Sequence, residues 1–387
     1  MDAGRLRFTD NLDDALDGVT VAFVCVGTPA REDGSPDLSY IQAVAEAAAT
    51  IATGELVLVE KSTVPADTGR RLRETVDRIR RTTPGPDIHI ASNPEFLREG
   101  TAVDDTLNPD RIVLGTDTDW AAAQLDAVYA PVVTAQHVPV IHTDVPTAEL
   151  IKHASNAFLA TRISFINAVA QICERVGADV EQVADGMGLD QRIGRAFLSA
   201  GLGYGGSCFP KDVDGFAHLA SQVGYRFGLL DEVRAINIGQ RQWVLDQLTD
   251  QLWHLEGKTV ALLGAAFKPG TDDLREAPAM WLTDRLRHAG AHVRIWDPVA
   301  LDQVAHQAPW LDRRTDVADA LDGADAAVIA TDWPELADVR PQIFADRMTN
   351  PLLIDGRNLL DGTRYAAAGV TYQEGDIYPR DLQAALV

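Results

Sequence analysis

The sequence predicts an α/β protein in which two doubly wound domains are joined by a central helical region. Three observations support this prediction. Short apolar runs alternate with helical patterns from Val19 to His142, one long helical pattern occupies Pro146–Val176, and a second alternation starts at Gly257. Strands that alternate with helices are typical of parallel sheets covered by helices. The predicted domains are residues 1–143, 144–255 and 256–387.

The first domain is predicted to hold a parallel sheet of five strands. The strand-like runs are VTVAFVCV, LVLV, IHIA, RIVLG and VPVIH, and the clearest helical patterns between them are Leu38–Ile51 and Ala66–Arg81. Before the first run, residues 1–18 supply only a helix tail and a short connection. No unit of strand, GxGxxG turn and helix precedes it.

The long pattern Pro146–Val176 predicts a single helix of roughly 45 Å. Pro146 lies near its first turn and Gly177 just past its end, where these residues are favoured. Apolar residues surround much of the helix, which suggests burial on more than one face, and a second subunit would provide that burial. Further helices reach about Leu255. The second α/β pattern then consists of KTVALLG, the helix Pro278–His288, HVRIW, AAVIAT and LLID.

The composition excludes several classes of protein. The formal net charge is −23, from 34 basic and 57 acidic residues, which disfavours binding to nucleic acid or to an anionic membrane. Three cysteines without CxxC spacing argue against a disulfide framework or a zinc site, so no metal is expected. We find neither a run of about 18 apolar residues nor a leader sequence, and therefore expect a cytoplasmic protein.

The segment Gly205–Asp212, with the sequence GGSCFPKD, predicts a reactive thiol. Glycines let the backbone approach a ligand closely, and Lys211 would stabilise the thiolate of Cys208, the form of cysteine that attacks carbonyl carbon. A carboxylate follows the lysine. By contrast, Cys25 lies in an apolar run and Cys173 in a helical pattern, and both are expected to be structural.

Residues Gly201–Gly206 match the spacing GxGxxG, but their context argues against a dinucleotide-binding fingerprint. That fingerprint needs a strand before it and a helix that opens at its last glycine, whereas here a predicted helix, Arg195–Ala200, comes first. We therefore expect a pliable loop that wraps a substrate and delivers the thiol.

Lys152 and Asn156 lie four residues apart on the long predicted helix and so share one face. An ammonium group and an amide in this arrangement can together hold a developing oxyanion. The alternative is a solvated polar stripe, although the apolar neighbours of Lys152 favour the functional interpretation.

Polar motifs follow three predicted strands of the first domain. Glu95 lies in SNPEFLREG after IHIA, Thr63 in VEKSTVP after LVLV, and Thr28 in VGTP after the first strand. Open α/β sheets carry their sites at the carboxyl ends of strands, and a buried carboxylate such as Glu95 can act as a general base. Ordinary turn chemistry is the alternative for each motif alone.

The last domain contains a candidate phosphate site. Its first strand leads into a glycine-rich turn that holds Lys268 and Arg275, and Arg357 follows the strand LLID. Cations at such turns bind phosphate groups. The turn is not a P-loop, because the GxxxxGK[ST] spacing is missing.

Taken together, the motifs GGSCFPKD, VEKSTVP, SNPEFLREG, AELIKHASNAFLA, DQRIG and AFKPGTDDLRE resemble those of the UDP-glucose 6-dehydrogenase family of nucleotide-sugar dehydrogenases. They occur in the family's order over essentially the whole chain. The resemblance implies two Rossmann-like domains, NAD as cofactor, and a four-electron oxidation of UDP-glucose to UDP-glucuronate. It also implies a homodimer or a larger homo-oligomer built on the long central helix.

The resemblance assigns roles to individual residues. Cys208 is expected to capture an aldehyde as a thiohemiacetal, which is then oxidised to a thioester. The residues expected to position the oxyanion and water are Lys152, Asn156 and Asp212. Glu95, helped by Thr63, is the expected base for thioester hydrolysis. The expected substrate-binding residues are Glu95, Phe96, Leu97, Arg98, Glu99, Lys152, Asn156, Tyr204, Gly205, Phe267, Lys268, Arg357 and, toward the substrate of the neighbouring subunit, Arg192. The expected NAD-binding residues are Val26, Gly27, Thr28, Pro29, Ala30, Ser62, Thr63, Val64, Glu99, Lys211 and Arg275.

The sequence departs from the family at its start. The family opens with a strand, a GxGxxG turn and a ribose-binding acid, and this sequence shows none of them there. About two βα units, on the order of 60 residues, are therefore expected to be missing, which leaves the first domain N-terminally incomplete. The missing helix N-terminus would neutralise the NAD pyrophosphate, so we expect weak turnover by the chain as it stands.

Two alternatives stay open at this point. The first is oxidation of another nucleotide sugar, such as GDP-mannose or a UDP-N-acetylhexosamine, although Tyr204–Phe209 and Asp190–Arg192 resemble the UDP-glucose branch more closely. The second is a truncated, non-catalytic binder of UDP-sugars. The combination of Cys208 with Lys211 and Glu95 argues against a pure binder, which has no use for a thiolate.

Overall fold

The structure, a computed structural model, describes residues 5–29, 31 and 36–374. The chain divides into two compact units, one of residues 1–156 and 214–226 and the other of residues 157–213 and 227–387. Neither unit contains a described helix that is both long and apolar enough to cross a lipid bilayer.

The first unit contains the predicted five-stranded sheet, in the order β1-β2-β3-β4-β5. Its strands are β1 (Val21–Val24), β2 (Leu56–Glu60), β3 (Ile88–Ser92), β4 (Ile112–Thr116) and β5 (Val140–Thr143). Its helices are α1 (Leu12–Leu16), α2 (Ser39–Ile51), α3 (Thr68–Arg80), α4 (Ala102–Leu107) and α5 (Asp119–Gln136). Every side chain of β2 is buried, as expected for a strand covered by helices on both faces.

The expectation of a wholly parallel first sheet is wrong at β4. The strands β1, β2 and β3 run parallel, but β4 pairs antiparallel with β3 through Ala91–Thr116 and Ser92–Gly115. The connection between β3 and β4 holds α4, a helix of six residues, which is too short to act as a full crossover. Just beyond the paired residues, the side chain of Asn93 continues the contact by donating to the carbonyl of Val113 over 2.8 Å.

The long helix is confirmed. It is α6 (Val145–Val176), with 32 residues, and Gly177 follows it at φ 72°, the left-handed conformation that ends many helices. The helices that follow are α7 (Val180–Gly188), α8 (Phe209–Gln222) and α9 (Gly228–Leu252). The helix expected over Arg195–Ala200 is wrong. These residues form turns, because Gly194 and Phe197 both have positive φ, which interrupts helical hydrogen bonding.

The second unit contains a sheet in the order β8-β7-β6-β9-β10-β11, in which each pair of neighbours is parallel. Its strands are β6 (Thr259–Leu263), β7 (His292–Trp296), β8 (Asp312–Arg314), β9 (Ala326–Ile329), β10 (Leu352–Asp355) and β11 (Thr371–Glu374). Its remaining helices are α10 (Pro278–His288), α11 (Leu301–Gln307), α12 (Val317–Leu321), α13 (Pro334–Ala337), α14 (Pro341–Arg347) and α15 (Gly362–Ala367). This is the 3-2-1-4-5-6 order of the Rossmann fold, whose ligands bind where the strand order reverses, between β6 and β9.

Candidate active site

Glu95 and Lys152 form an ion pair in the first unit. Glu95 follows β3, and Lys152 lies in the second turn of α6. Lys152 Nζ donates to Glu95 Oε1 over 3.0 Å, while Glu95 Oε2 accepts a hydrogen bond from the backbone N–H of Leu97 over 2.6 Å. Because Lys152 is only 4% exposed, the carboxylate compensates a charge that water reaches poorly. The fold thus brings together two residues that were predicted to be catalytic.

Two cations lie near the ring of Phe96, the residue that follows Glu95. Arg111 Cζ lies 3.7 Å from the centre of the Phe96 ring, and Lys152 Nζ lies 5.5 Å from it. Cations over an aromatic face are attracted by its negative charge density, so Arg111 fixes the ring next to Glu95. Phe96 was predicted from the sequence, whereas Arg111 was missed; its position directly before β4 was the available signal.

A second lysine, which is half-buried, lies at the same end of the sheet. Lys61 follows β2, and its Nζ donates to Asn93 Oδ1 over 3.0 Å and to the Asn93 carbonyl over 3.3 Å. The hydroxyl of Tyr129 also donates to Asn93 Oδ1. Burial lowers the pKa of Lys61, and the carboxylate of Glu95 counteracts this shift. Sequence analysis missed both Asn93 and Tyr129, because the contacts join segments more than 30 residues apart.

The loops after β1 and β2 are joined to each other. Thr28 Oγ1 donates to the Thr63 carbonyl over 3.0 Å, and Ser62 Oγ donates to the Val26 carbonyl over 2.7 Å. Gly27 is exposed, and a methyl group added there would meet no atom within 4 Å, so its side-chain position is open. The loop residues Val26–Thr28 and Ser62–Thr63 fit the predicted contact with NAD outside its pyrophosphate. In the described part of the unit, no strand leads into a glycine-rich helix start of the kind that binds a pyrophosphate. Ala30 lies outside the described residues.

The rest of the motif after Glu95 is closer to solvent. Arg98 is exposed and pairs with Asp105, whose two oxygens accept from its guanidinium over 2.5 and 3.2 Å. The neighbouring Arg98 holds the pKa of the Asp105 carboxyl well below its usual range. Arg98 is thus held by α4, while Glu99 is half-buried beside it.

Cys208 is exposed and directly precedes α8 in the second unit. Its carbonyl accepts the N–H of Asp212 over 2.9 Å, so the residue lies at the start of the helix. A helix N-terminus carries partial positive charge, which attracts anionic groups that approach it. Ser207 Oγ lies 3.6 Å from Sγ. Lys211 Nζ lies 3.3 Å from a carboxylate oxygen of Asp212, which is itself buried.

The loop Gly201–Gly206 is rigidly held, and the expectation of a pliable loop is wrong. All six residues are buried. A Cβ at Gly206, which has φ 81°, would lie 2.7 Å from the ring of Phe267, and one at Gly205 would lie 2.4 Å from the carbonyl oxygen of Glu276. The glycines therefore allow close packing against neighbouring segments instead of motion. As expected, no strand precedes the loop, and α8 opens three residues beyond it.

Arg357 joins three segments at the reversal of strand order in the second sheet. Its Nε donates to the Ala330 carbonyl over 2.8 Å, and its Nη atoms lie 3.5 Å from the Gly203 carbonyl oxygen and 3.4 Å from that of Phe267. Burial lowers the pKa of Arg357. Asp355 orients the loop by accepting N–H groups from residues 357, 359 and 360. Arg357 therefore holds the loops of the predicted substrate site as well as supplying charge to it.

The two other cations of this site differ in their surroundings. Lys268 Nζ lies 5.7 Å from the centre of the Phe267 ring. Arg275 is exposed and pairs through two nitrogens with Asp273, at 2.9 and 2.7 Å. Both follow β6, at the end of the sheet where Rossmann-type domains bind nucleotides.

Arg192 extends from the second unit. Its side chain is 88% exposed and pairs with Asp190 over 2.6 Å. Arg162 on α6 holds this turn by donating to the carbonyls of Ile193 and Gly194, each over 2.6 Å. Arg162 was not predicted from the sequence.

Comparison with known proteins identifies three consecutive regions. The chain matches the UDP-glucose/GDP-mannose dehydrogenase family in its NAD binding domain over residues 1–133, its central domain over residues 146–238 and its UDP binding domain over residues 261–362. It is 43% identical to UDP-glucose 6-dehydrogenase TuaD of Bacillus subtilis over 95% of this chain and 79% of that protein. It is also 43% identical to the UDP-glucose 6-dehydrogenase of Pseudomonas aeruginosa over 96% of this chain and 84% of that protein.

Solved structures agree with this assignment. The UDP-glucose dehydrogenase of Pyrobaculum islandicum superposes with a TM-score of 0.88 at 34% identity, over 97% of this chain and 84% of that one. The two Rossmann-like sheets and the central helical region predicted from the sequence are confirmed. The motifs, the fold and these relatives show that the chain belongs to the UDP-glucose/GDP-mannose dehydrogenase family, whose members are NAD-dependent dehydrogenases.

Proposed function

We propose that this chain oxidises UDP-glucose to UDP-glucuronate through a thiohemiacetal and a thioester on Cys208. The observation that carries the proposal is an exposed thiol at the start of α8, directly after a buried glycine loop. Oxidation of an alcohol to an aldehyde needs no thiol. A second oxidation to the acid does benefit from one, because a bound thiohemiacetal is a hydride donor and a free aldehyde is not.

The residues act in sequence on the sugar C6. Bound NAD supplies the acceptor for the hydride in each of the two oxidations. Between them, Cys208 Sγ forms a C–S bond to the aldehyde carbon, and Lys152 and Asn156 stabilise the oxygen that becomes negative. The second oxidation leaves a thioester. Water then adds to it, Glu95 takes the proton of that water, and cleavage of the C–S bond returns the thiolate and releases the acid.

The remaining residues hold the reactants. Asp212 positions the attacking water, and Thr63 supports Glu95. Val26–Pro29 and Ser62–Val64 bind NAD at the carboxyl ends of β1 and β2, with Glu99, Lys211 and Arg275. Phe267, Lys268 and Arg357 bind the uridine diphosphate, which suits a Rossmann-type site lined with cations. We assign NAD binding to residues 1–143, dimerisation and catalysis to residues 144–255, and UDP-sugar binding to residues 256–387.

We also propose that the chain forms a homodimer through α6, in the cytoplasm. Phe158, Phe165 and Ile172 repeat at intervals of seven residues, so they share one face of the helix, and they are 61%, 49% and 59% exposed. A second copy of the same helix would cover this apolar stripe. Arg192 of one subunit would then reach the substrate of the other.

The test is the number of NADH molecules formed per UDP-glucose consumed, with NAD in excess. Two NADH per sugar are expected for the four-electron reaction, and Cys208→Ser should form no acid. Full acid production by Cys208→Ser would eliminate the covalent mechanism. A panel of GDP-mannose and UDP-N-acetylhexosamines identifies the substrate, since the preferred sugar gives the highest kcat/KM. Binding of UDP-glucose without NADH would instead indicate a non-catalytic binder.

A further inference from the structure

The buried face of α9 carries a row of polar side chains. Asn237, Gln240 and Arg241 lie at positions i, i+3 and i+4, which places them on one face of the helix. Each of them is at most 6% exposed. Burial of amide and guanidinium groups is costly unless they are hydrogen-bonded, so the partners of this row indicate what it does.

Asn237 pairs with both backbone groups of Tyr204. Its Oδ1 accepts the N–H of Tyr204 over 2.7 Å, and its Nδ2 donates to the Tyr204 carbonyl over 3.1 Å. Gln240 Nε2 donates to the Gly201 carbonyl over 2.9 Å, and its Oε1 accepts from Gln171 on α6 over 2.9 Å. The backbone of the loop that precedes the thiol is thus hydrogen-bonded to side chains at both of its ends.

Arg241 joins this loop to a second one. Its Nη2 donates to the Tyr204 carbonyl over 3.0 Å and to the Glu276 carbonyl over 3.1 Å. Glu276 has φ 52°, a conformation that costs about 1 kcal/mol for a residue with a side chain, so the contacts around it must stabilise it. The two loops are linked again where Gly206 N–H donates to the Arg275 carbonyl over 2.9 Å.

We propose that Asn237 and Arg241 are positioning residues that fix the backbone leading to Cys208 and so set the position of its thiol. The proposal rests on the function assigned above, in which Cys208 attacks an aldehyde. Both side chains act four residues upstream of the thiol, at Tyr204, through a loop whose six residues are all buried. A displacement of about 1 Å in a reacting group can cost on the order of 100-fold in rate.

The test compares Arg241→Lys and Asn237→Leu with a matched control. Lysine keeps the charge but cannot donate to two carbonyls in fixed directions, and leucine keeps the branched shape of asparagine without its hydrogen bonds. The control is Ser164→Ala, which removes another buried hydrogen bond between α6 and α9, from Ser164 Oγ to the Val233 carbonyl over 2.9 Å, without touching the loop. Far-UV circular dichroism and thermal melting establish which variants are folded.

Two experiments are carried out on the whole 387-residue chain. The first is the rate constant for alkylation of Cys208 by iodoacetamide in the protein without ligands, with the modified cysteine located by mass spectrometry. The second is steady-state turnover of UDP-glucose, together with the NADH formed per sugar. We expect the alkylation rate constant to change at least about threefold, kcat to fall about tenfold or more with little change in KM, and the NADH ratio to fall from two toward one as aldehyde escapes. Ser164→Ala should leave the alkylation rate constant, kcat, KM and the NADH ratio within about twofold of wild type.

An unchanged alkylation rate constant in a folded variant overturns the proposal, as does an unchanged kcat in an active enzyme. If wild type forms no NADH from UDP-glucose, the assigned function fails, but the alkylation comparison still decides whether α9 positions the thiol. If Asn237→Leu does not fold, the comparison of Arg241→Lys with wild type tests the proposal alone.

Discussion

Glu60 and Glu149 lie side by side in the interior of the first unit, close enough for each carboxyl group to perturb the pKa of the other. Glu60 ends β2 and Glu149 lies in the first turns of α6; they are 1% and 2% exposed. Glu149 Oε1 also accepts the N–H of Gly69 over 2.8 Å. Burial, together with the charge of Glu149, raises the pKa of Glu60 far above its usual range. Burial also raises the pKa of Glu149, to about 7. Two carboxyl groups in such a place retain a proton between them.

The first prediction concerns the pH dependence of stability. Both pKa values are higher in the folded than in the unfolded chain, so the stability they contribute is present below about pH 4.5 and is lost as the pH rises through about 7. Glu149→Gln replaces one of the two titratable carboxyl groups by an amide that stays neutral at every pH. The unfolding free energy of the variant minus that of wild type should therefore be at least about 1.4 kcal/mol larger at pH 8 than at pH 5, as measured by urea denaturation.

The matched control is Glu74→Gln, an exposed acid on α3. It should shift the unfolding free energy equally at both pH values. A difference between wild type and Glu149→Gln that does not vary with pH would show that the pair holds no shared proton.

The second prediction concerns Glu95, the proposed general base. Glu95→Gln keeps an acceptor for Lys152 but cannot take a proton from water, so thioester should accumulate on Cys208. Rapid-mixing absorbance should show a burst of about two NADH per chain, followed by steady turnover slower than wild type by about 100-fold or more. Intact-protein mass spectrometry should detect the sugar nucleotide attached to Cys208. Steady turnover at the wild-type rate would exclude Glu95 as the base.

The third prediction compares two glycines with the same backbone conformation. Gly206 and Gly177 have φ of 81° and 72°, but an added Cβ would meet the Phe267 ring at Gly206 and no atom within 4 Å at Gly177. Gly177→Ala should cost about 1 kcal/mol of unfolding free energy, from backbone strain alone. Gly206→Ala should cost about 2 to 4 kcal/mol, because overpacking adds to that strain. Equal losses in denaturant melts would contradict the close packing of the Cys208 loop.

The fourth prediction tests the apolar stripe of α6. Phe165→Asp would place a charge at the centre of the proposed contact between two copies, where it would be desolvated and unpaired. In analytical ultracentrifugation, the variant should sediment as a monomer at concentrations where wild type is a dimer. Glu174→Ala, at an exposed position of the same helix, should leave the association unchanged. A wild-type chain that is monomeric at all concentrations would refute the dimer itself.

Much of the fold follows from local pattern. The runs that became β2, β6 and β10 are continuous and apolar, and strands buried on both faces are read easily from such runs. The long helix was bounded correctly at its end by Gly177. The short strand β8, with the sequence DRR, was not predicted, because an edge strand needs no apolar residues. The antiparallel direction of β4 was not predicted, because it depends on how a 19-residue connection returns to the sheet. Local periodicity carries no information about that path.

The motifs of the candidate site were predictable from the sequence, but the residues that hold those motifs in place were not. Cys208, Glu95 and Lys152 stand in distinctive local sequences. Arg111, Arg162 and the polar row of α9 do not, because their partners are distant in sequence: Arg241 contacts a carbonyl 37 residues away. The glycines of residues 201–206 illustrate the ambiguity. Glycine serves both mobile loops and tightly packed ones, and only the surroundings distinguish the two.

The junction of β3 with β4 has a consequence for hydrogen exchange. It is made by two residue pairs and the side chain of Asn93, whereas β2 and β3 are joined by five residue pairs. The free energy of local opening rises with the number of contacts broken, so the sheet separates most readily at this junction. Asn93 also holds Lys61, and Glu95 follows two residues later. Amide exchange along β4 therefore reports how firmly Glu95, the proposed base, is held when substrate and cofactor bind.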